Sequence, residues 1–210
     1  MNTDIVKVFC APAPFGDMDR MLVPESRNEA VEKVTNPGLA RLKRSSWNLL
    51  SFAVKELFSK EMSQIRFCVS GDGKWTCDEF CFSLSHTDSL VSVALSSFEC
   101  GVDIEKNEAS RFSGSLAERI LTHSEYQHYK TLENEASGNY AARLWTQKES
   151  IFKIHGKGAF CPRNIDTSLH FTKTVQITFD KSVFYLSVAA DRNFSAEYHF
   201  LTSDIFINGE

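Results

Sequence analysis

A long amphipathic stripe followed by short alternating strands constrains the fold most strongly. Between residues 39 and 58 the apolar residues recur at 42, 47, 49, 50, 53, 54, 57 and 58, which is the spacing of one helix face. A turn signal, NPG at 36–38, precedes this stripe. Apolar residues then alternate at 80, 82 and 84 and at 91, 93 and 95, which predicts two strands joined by a loop around 85–88.

The second half of the chain repeats this order. A Thr-x-x-Glu capping box beginning at Thr122 predicts a helix start, and residues 138–155 predict a longer helix that ends at Gly156. Strands are predicted for the segments 5–9, 102–105, 175–179, 183–189 and 196–202. Helical material followed by a strand meander in both halves is compatible with an α+β fold built from two similar lobes.

Composition narrows the class of protein. The chain has 210 residues, of which 42% are hydrophobic and 24% charged, as in ordinary soluble globular proteins. Its net charge of −4 argues against a general nucleic-acid binder. The first residues do not resemble a signal peptide, and no run is apolar enough to span a bilayer. Six cysteines without C-x-x-C spacing indicate reduced thiols, so we expect a cytoplasmic protein without a membrane partner.

Two carboxylates share one face of a predicted strand. In the segment GVDIE, Asp103 and Glu105 are two residues apart and project together, whereas Val102 and Ile104 face the core. A hard divalent cation would relieve the repulsion between the two carboxylates, and oxygen ligands suit magnesium. The alternative is a half-exposed strand whose acidic face only meets water.

A second group of charges lies on the predicted helix 138–155. Glu149 and Lys153 are four residues apart and share a face, which by itself indicates an ion pair of about 0.3–0.5 kcal/mol. Thr146-x-x-Glu149 also matches a capping box, so Glu149 could instead mark a helix start. The functional interpretation makes Glu149 a third metal ligand, with Lys148 and Lys153 holding phosphate oxygens beside it.

Two loops add weaker signals. Ser85 and His86 could donate hydrogen bonds to an anion, although a Ser-His pair in a loop is more often only a loop. No G-x-S-x-G segment accompanies them, which argues against a hydrolase dyad. The glycines of GDGK at 71–74 permit close backbone approach to a ligand, as does any tight turn.

The order of these motifs is more specific than any one of them. SHT at 85–87, GVDIE at 101–105 and WTQKESIFKIHGKG at 145–158 together resemble the surfactin-synthetase-activating type of 4′-phosphopantetheinyl transferase. That family shows GxDxE and, about forty residues later, W-S/T-x-K-E-A/S-x-x-K. The resemblance covers residues 71–162 well, is looser over 25–60 and nearly stops beyond 165. Trp75 stands where the family has proline after Gly-Lys.

The resemblance implies an activity. Such enzymes transfer 4′-phosphopantetheine from coenzyme A to a serine of an apo acyl or peptidyl carrier protein and release adenosine 3′,5′-bisphosphate. They use Mg²⁺, with Mn²⁺ as a possible substitute. By resemblance the metal ligands are Asp103, Glu105 and Glu149, and the catalytic groups are Glu149 as general base with Lys148 and Lys153. Coenzyme A binding is expected from Lys74, Ser85, His86, Lys148 and Lys153, with Arg41, Arg44, Lys43, Arg27 or Lys33 at the 3′-phosphate.

The resemblance also implies an architecture. It predicts an α+β pseudo-dimer of two lobes, residues 1–100 and 101–210, with the active site in the cleft between them. Because both sides of the cleft come from one chain, we expect a monomer. A basic and apolar patch within 111–130, including Arg111, Phe112 and Arg119, is expected to receive the carrier protein.

Two other functions stay open at this point. A non-catalytic module that binds coenzyme A or another nucleotide would keep the lysines without turnover. A metal-dependent phosphohydrolase would use the same carboxylates with water as nucleophile. The product separates them, since only the transferase leaves phosphopantetheine on a protein. The pathway that supplies the carrier (fatty-acid, polyketide, nonribosomal-peptide or polyunsaturated-fatty-acid synthesis) is not indicated.

Overall fold

A computed structural model describes residues 4–19, 24–71 and 73–208 as a mixed α+β structure. The helices are α1 (Glu25–Glu32), α2 (Pro37–Phe58), α3 (Ser115–Ile120), α4 (His123–Tyr129) and α5 (Asn134–His155). The strands are β1 (Ile5–Pro12), β2 (Phe67–Val69), β3 (Trp75–Cys77), β4 (Cys81–His86), β5 (Leu90–Ser96), β6 (Cys100–Lys106), β7 (Phe171–Phe179), β8 (Ser182–Ala190), β9 (Ser195–Phe200) and β10 (Phe206–Ile207). Short 3₁₀ turns occur at Met62–Gln64, Pro162–Asn164 and Thr167–Leu169. No helix in these ranges combines the length and apolarity needed to cross a bilayer.

Two four-stranded sheets carry the structure. The first has the order β4-β5-β1-β9, in which β1 pairs antiparallel with β5 and parallel with β9. The second has the order β10-β7-β8-β6 and is antiparallel throughout. A small β2-β3 hairpin contains the GDGK turn, of which Asp72 lies outside the described residues.

Helix α2 confirms the amphipathic stripe. The Asn36 side chain accepts a hydrogen bond from the Leu39 amide at 3.1 Å, and Pro37 occupies the first turn, where its missing N–H costs nothing. The buried face of the helix packs on the first sheet, where Trp47 and Leu50 share a core with Phe9. The spacing of apolar residues therefore predicted both this helix and the face that it buries.

Helix α5 lies across the second sheet and closely approaches β6. It begins at Asn134, four residues earlier than predicted, and ends as predicted at Gly156, which has a left-handed φ of 63°. A Cβ atom built on Gly101 would lie 1.9 Å from the carbonyl oxygen of Ser150, so only glycine permits this crossing. This contact places the last two turns of α5 beside Asp103.

The two capping-box signals have different outcomes. At Thr122 the prediction is confirmed, since its side chain accepts from the Glu125 amide and Glu125 accepts from the Thr122 amide. At Thr146 the alternative is wrong, because this residue lies inside α5 and its hydroxyl donates to the Ala142 carbonyl at 2.9 Å. Glu149 is therefore a residue of the helix interior.

Serine side chains join the two sheets. The outer strands β4 and β6 lie side by side, and the Ser83 hydroxyl accepts a hydrogen bond from the Val102 amide at 3.0 Å. Two residues along both strands, the Ser85 hydroxyl accepts from the Ile104 amide at 3.3 Å. These contacts hold β4 against β6 at the level of Asp103.

Candidate active site

Asp103 lies at the centre of the polar groups that β4, β6 and α5 bring together. It is buried, with 4% of its surface exposed, and its Oδ1 accepts hydrogen bonds from Ser85 Oγ at 2.8 Å and Lys153 Nζ at 2.7 Å. Its Oδ2 is also buried and has no hydrogen-bond partner among the described residues. A buried carboxylate oxygen without a partner is costly, so this atom is a candidate ligand for a cation.

Glu149 and Lys153 approach Asp103 from one face of α5. Lys153 Nζ lies 3.8 Å from Glu149 Oε2, and each side chain is 27% exposed. Burial, together with the negative charge of Asp103, raises the pKa of Glu149 to about 7. The predicted i, i+4 pair is thus present, but it is one part of a larger cluster rather than an isolated surface pair.

Glu105 completes the acidic cluster and has a basic neighbour that the sequence did not indicate. Its Oε1 accepts a hydrogen bond from Arg111 Nη1 at 2.7 Å. Burial raises the pKa of Glu105 and Asp103 adds to the rise, whereas Arg111 opposes it. Three carboxylates therefore crowd negative charge into one place.

The chemistry of this cluster fits a hard cation. Within the described residues, no three His, Cys, Asp or Glu side chains already form a metal-binding arrangement. However, Asp103 offers a carboxylate oxygen that has no hydrogen-bond partner among the described residues. After burial, the negative charge of Asp103 also contributes to the raised pKa values of Glu105 and Glu149. Lys153 and Arg111 now offset part of that charge through hydrogen bonds.

His86 lies at the end of β4, beside the same cluster. Burial lowers its pKa, and the positive charges of Lys153 and Lys43 lower it further. Lys43 of α2 is therefore close enough to affect the imidazole. Arg41 is exposed on the same helix and Arg44 is half-buried. The basic side of the site thus receives contributions from β4, α5 and α2.

Lys74 lies at the carboxyl end of α5. Its ammonium group donates to Glu99 Oε2 at 2.9 Å and to the carbonyl oxygen of Ile154. A Cβ on Gly156 would approach the Lys74 stem at 3.5 Å, which shows how closely the two segments pack. In this arrangement, Lys74 links the β2-β3 hairpin to the end of α5.

Lys148 does not join the acidic cluster. Its side chain is completely buried, and Nζ donates to Glu125 Oε2 at 2.6 Å, to the Ile165 carbonyl at 2.7 Å and to the Pro162 carbonyl at 3.0 Å. Consecutive helix residues point about 100° apart, and α5 here directs Lys148 toward Glu125 and Glu149 toward Asp103. The expected phosphate contact of Lys148 does not fit this placement, since all three of its donors have protein acceptors.

Glu125 forms the ion pair with Lys148, and the sequence did not predict this pair. Its carboxylate also accepts from the Thr122 amide at 2.7 Å and from the Thr167 hydroxyl at 3.3 Å. The capping-box pattern indicated the first of these contacts. No local pattern connects residues 125 and 148, because their contact depends on how α4 packs against α5.

The expected carrier-binding patch is only partly exposed. Phe112 is fully buried, so its assignment to a surface patch is wrong. Its ring contacts Trp145, and Arg111 lies over it at 5.1 Å while pairing with Glu105. Arg119 is exposed on α3.

Comparisons with known proteins agree with the site. Residues 99–201 match the family model of the 4′-phosphopantetheinyl transferase superfamily. The chain is 33% identical over 113 residues to the 4′-phosphopantetheinyl transferase psf-1 of Bacillus pumilus, covering 52% of this chain and 48% of the relative. Over 117 residues it is 29% identical to Sfp of Bacillus subtilis strain 168, covering 54% of this chain and 51% of Sfp.

A longer match reaches a 4′-phosphopantetheinyl transferase of Bacillus subtilis, at 26% identity over 156 residues that cover 72% of this chain and 69% of the relative. The chain spans about half the length of psf-1 and Sfp. The matched region nevertheless contains Asp103, Glu105, Glu149 and Lys153. The motifs, the fold and these relatives agree, and over residues 99–201 the chain is similar to the 4′-phosphopantetheinyl transferase superfamily.

Proposed function

We propose that this protein transfers the 4′-phosphopantetheine group of coenzyme A to a serine of an apo acyl or peptidyl carrier protein and releases adenosine 3′,5′-bisphosphate. The observation that carries the proposal is the convergence of Asp103, Glu149 and Lys153 beside the basic groups of His86 and Lys43. Carboxylates next to cations suit a substrate with a pyrophosphate, which needs both a metal and hydrogen-bond donors.

Magnesium is the proposed cofactor, and manganese is a chemically similar substitute. Asp103 through its unpartnered Oδ2, together with Glu105 and Glu149, would hold the ion. When bound, the ion neutralises part of the pyrophosphate charge. Burial is the main reason that the pKa values of Glu105 and Glu149 are raised, and the ion would relieve the repulsion between carboxylates that adds to it.

Lys153 is the lysine of this motif that is placed to meet phosphate. Its ammonium lies between Asp103 and Glu149 and remains 27% exposed, so it can reach a ligand without leaving the cluster. There it would stabilise charge that develops on the transferred phosphoryl group. His86, Ser85 and Lys74, with Arg41 or Arg44 of α2, form the proposed coenzyme A-binding side. Lys148 acts in this proposal only by holding α5 in place.

The serine of the carrier protein must lose a proton when it attacks phosphorus. Glu149 is the proposed acceptor, either directly or through a water molecule. Glu149 lies next to Lys153 in the same cluster, which would place the acceptor beside the phosphoryl group that Lys153 contacts. The proton leaves the serine oxygen as the new oxygen–phosphorus bond forms and the pyrophosphate bond breaks.

The two sheets support the proposed pseudo-dimer. Each four-stranded sheet packs against one long helix of 22 residues, α2 or α5. We propose the lobes 1–100 and 101–210, with β9 of the second lobe inserted beside β1 of the first. The active site would then lie in the cleft at the β4-β6 contact, and one chain would suffice as a monomer.

The test is the intact mass of an apo carrier protein after incubation with this protein, coenzyme A and magnesium. We expect a gain of one phosphopantetheine that a chelator prevents, that Lys153→Met reduces strongly and that the control Lys157→Met leaves unchanged, because Lys157 is exposed beyond the end of α5. Tight coenzyme A binding without a mass gain on several carriers would favour the non-catalytic module. Free phosphopantetheine as the product would favour the phosphohydrolase.

A further inference from the structure

A cavity of about 380 Å³ lies on another side of α5 from the acidic cluster. Its lining comes from α5, β7 and β8 and consists of Asn139, Tyr140, Arg143, Thr174, Gln176 and Tyr185. Arg143 precedes Glu149 by six residues, which separates the two side chains by about 120° around the helix. The cavity is therefore distinct from the proposed coenzyme A site.

The lining offers hydrogen-bond donors and no carboxylate. Arg143 is exposed, and within the described part of the chain it has neither an ion pair nor a hydrogen bond. The phenols of Tyr140 and Tyr185 stand beside it, as the effect of Arg143 on both their pKa values indicates. A guanidinium group with two phenols matches the acceptor oxygens of a carboxylate or a phosphate.

Tyr185 gives the second, independent observation. Only 7% of its surface is exposed, yet its hydroxyl donates no hydrogen bond to any described residue, and the side chain lines the cavity. Because no described residue uses this hydroxyl, it can donate a hydrogen bond to an acceptor bound in the cavity. Such an acceptor would lie next to the unpaired guanidinium of Arg143.

The second sheet connects this cavity to the acidic cluster. Tyr185 of β8 is the antiparallel partner of Glu105 on β6 and of Gln176 on β7, so the three side chains form one row on the same face. Glu133 and Glu135 line a neighbouring cavity that shares Asn139, which makes that end unfavourable for an anion. An anion would therefore lie toward Arg143 and Gln176.

We propose that this cavity is a second anion-binding site, which takes one carboxylate or phosphate group through Arg143, Tyr185 and Tyr140. Two sources present this chemistry: a free oxyanion, or an acidic side chain of the protein substrate docked one strand away from Glu105. The second source rests on the proposed transferase function, whereas the first does not.

The first arm of the test measures inorganic phosphate binding without turnover. Phosphate is titrated at constant ionic strength while the ring signals of Tyr185, assigned with Tyr185→Phe, are followed by NMR. We expect saturable shifts that weaken about tenfold or more in Arg143→Gln and persist in Arg66→Gln, an exposed arginine of the first lobe. The ionic-strength control separates a site from general screening.

The second arm measures steady-state transfer to a carrier protein. If the carrier supplies the anion, Arg143→Gln raises the KM for the carrier about tenfold or more and leaves the KM for coenzyme A unchanged. Substitution of one acidic carrier residue by its amide should then add nothing in the Arg143→Gln background. Phosphate shifts without a carrier effect would assign the site to a free anion. The proposal is overturned if Arg143→Gln matches Arg66→Gln in both arms, whether or not the protein is a transferase.

Discussion

Replacing Lys148 by methionine tests the role that the structure gives this residue. Methionine keeps an unbranched side chain but removes the ammonium group, so Glu125 stays buried, with 10% of its side chain exposed and no cationic partner. The carbonyl oxygens of Pro162 and Ile165 lose a donor as well. The contact between α4, α5 and the Pro162–Asn164 turn should loosen as a result.

The size of the effect follows from that burial. Removing one partner of a buried ion pair costs about 3–5 kcal/mol, because the remaining charge is left without compensation. In a protein of this size each kcal/mol lowers Tm by about 2–4 °C, so we expect Lys148→Met to lower it by about 6–20 °C. Lys55→Met is the matched control. Its pair with Glu61 is exposed, with 66% of the Lys55 side chain accessible, and should contribute less than about 1 kcal/mol.

A double-mutant cycle provides the assay. Urea unfolding is measured for Lys148→Met, Glu125→Gln and the double variant, and we expect a coupling free energy of about 0.5–3 kcal/mol. Coenzyme A affinity is measured by calorimetry below the unfolding range, where Lys148→Met should bind normally and Lys153→Met should not. A stable Lys148→Met protein whose coenzyme A affinity falls tenfold would refute the structural role and restore a phosphate contact.

Three further predictions concern the acidic cluster and its support. Asp103→Asn should weaken magnesium binding by at least an order of magnitude, as measured by calorimetry without carrier protein, because an amide is neutral where the carboxylate is charged. In chelator, the folded state should hold a proton on Glu149 between pH 4.5, its ordinary pKa, and about 7, so the stability that it contributes falls as pH rises through this range. Urea unfolding at several pH values should show a flatter profile for Glu149→Gln, and identical profiles would contradict the raised pKa. Gly101→Ala should destabilise the protein by about 1–3 kcal/mol and displace α5, since its Cβ meets backbone at 1.9 Å, whereas Gly71→Ala has open space and should be neutral.

Periodicity predicted the elements well where one face of the element is buried. The stripe at 39–58 became α2 because its apolar face covers a sheet, and the alternating segments became β4 and β5 for the same reason. The first turn of α5, residues 134–137, was not predicted because it is polar and lacks apolar spacing. The parallel pairing of β9 with β1 has no local signal at all.

In the candidate site, too, local spacing predicted the faces of single elements but not how the elements pack together. Spacing alone put Asp103 with Glu105 on one strand face, and Glu149 with Lys153 on one helix face. Their convergence depends on how α5 crosses β6, which is a property of packing at Gly101. The same rotation of α5 turns Lys148 toward Glu125, and no pattern within the helix could distinguish these two lysines.

The position of β9 has a consequence for how the chain folds. Lys7 of β1 pairs in register with Glu197 of β9, a separation of 190 residues. During synthesis β1 can pair early with β5, but its other edge stays open until nearly the whole chain has emerged. Such a high contact order slows folding and exposes an unpaired strand meanwhile. Cleavage between the two halves should therefore leave a first half with an uncovered, aggregation-prone edge.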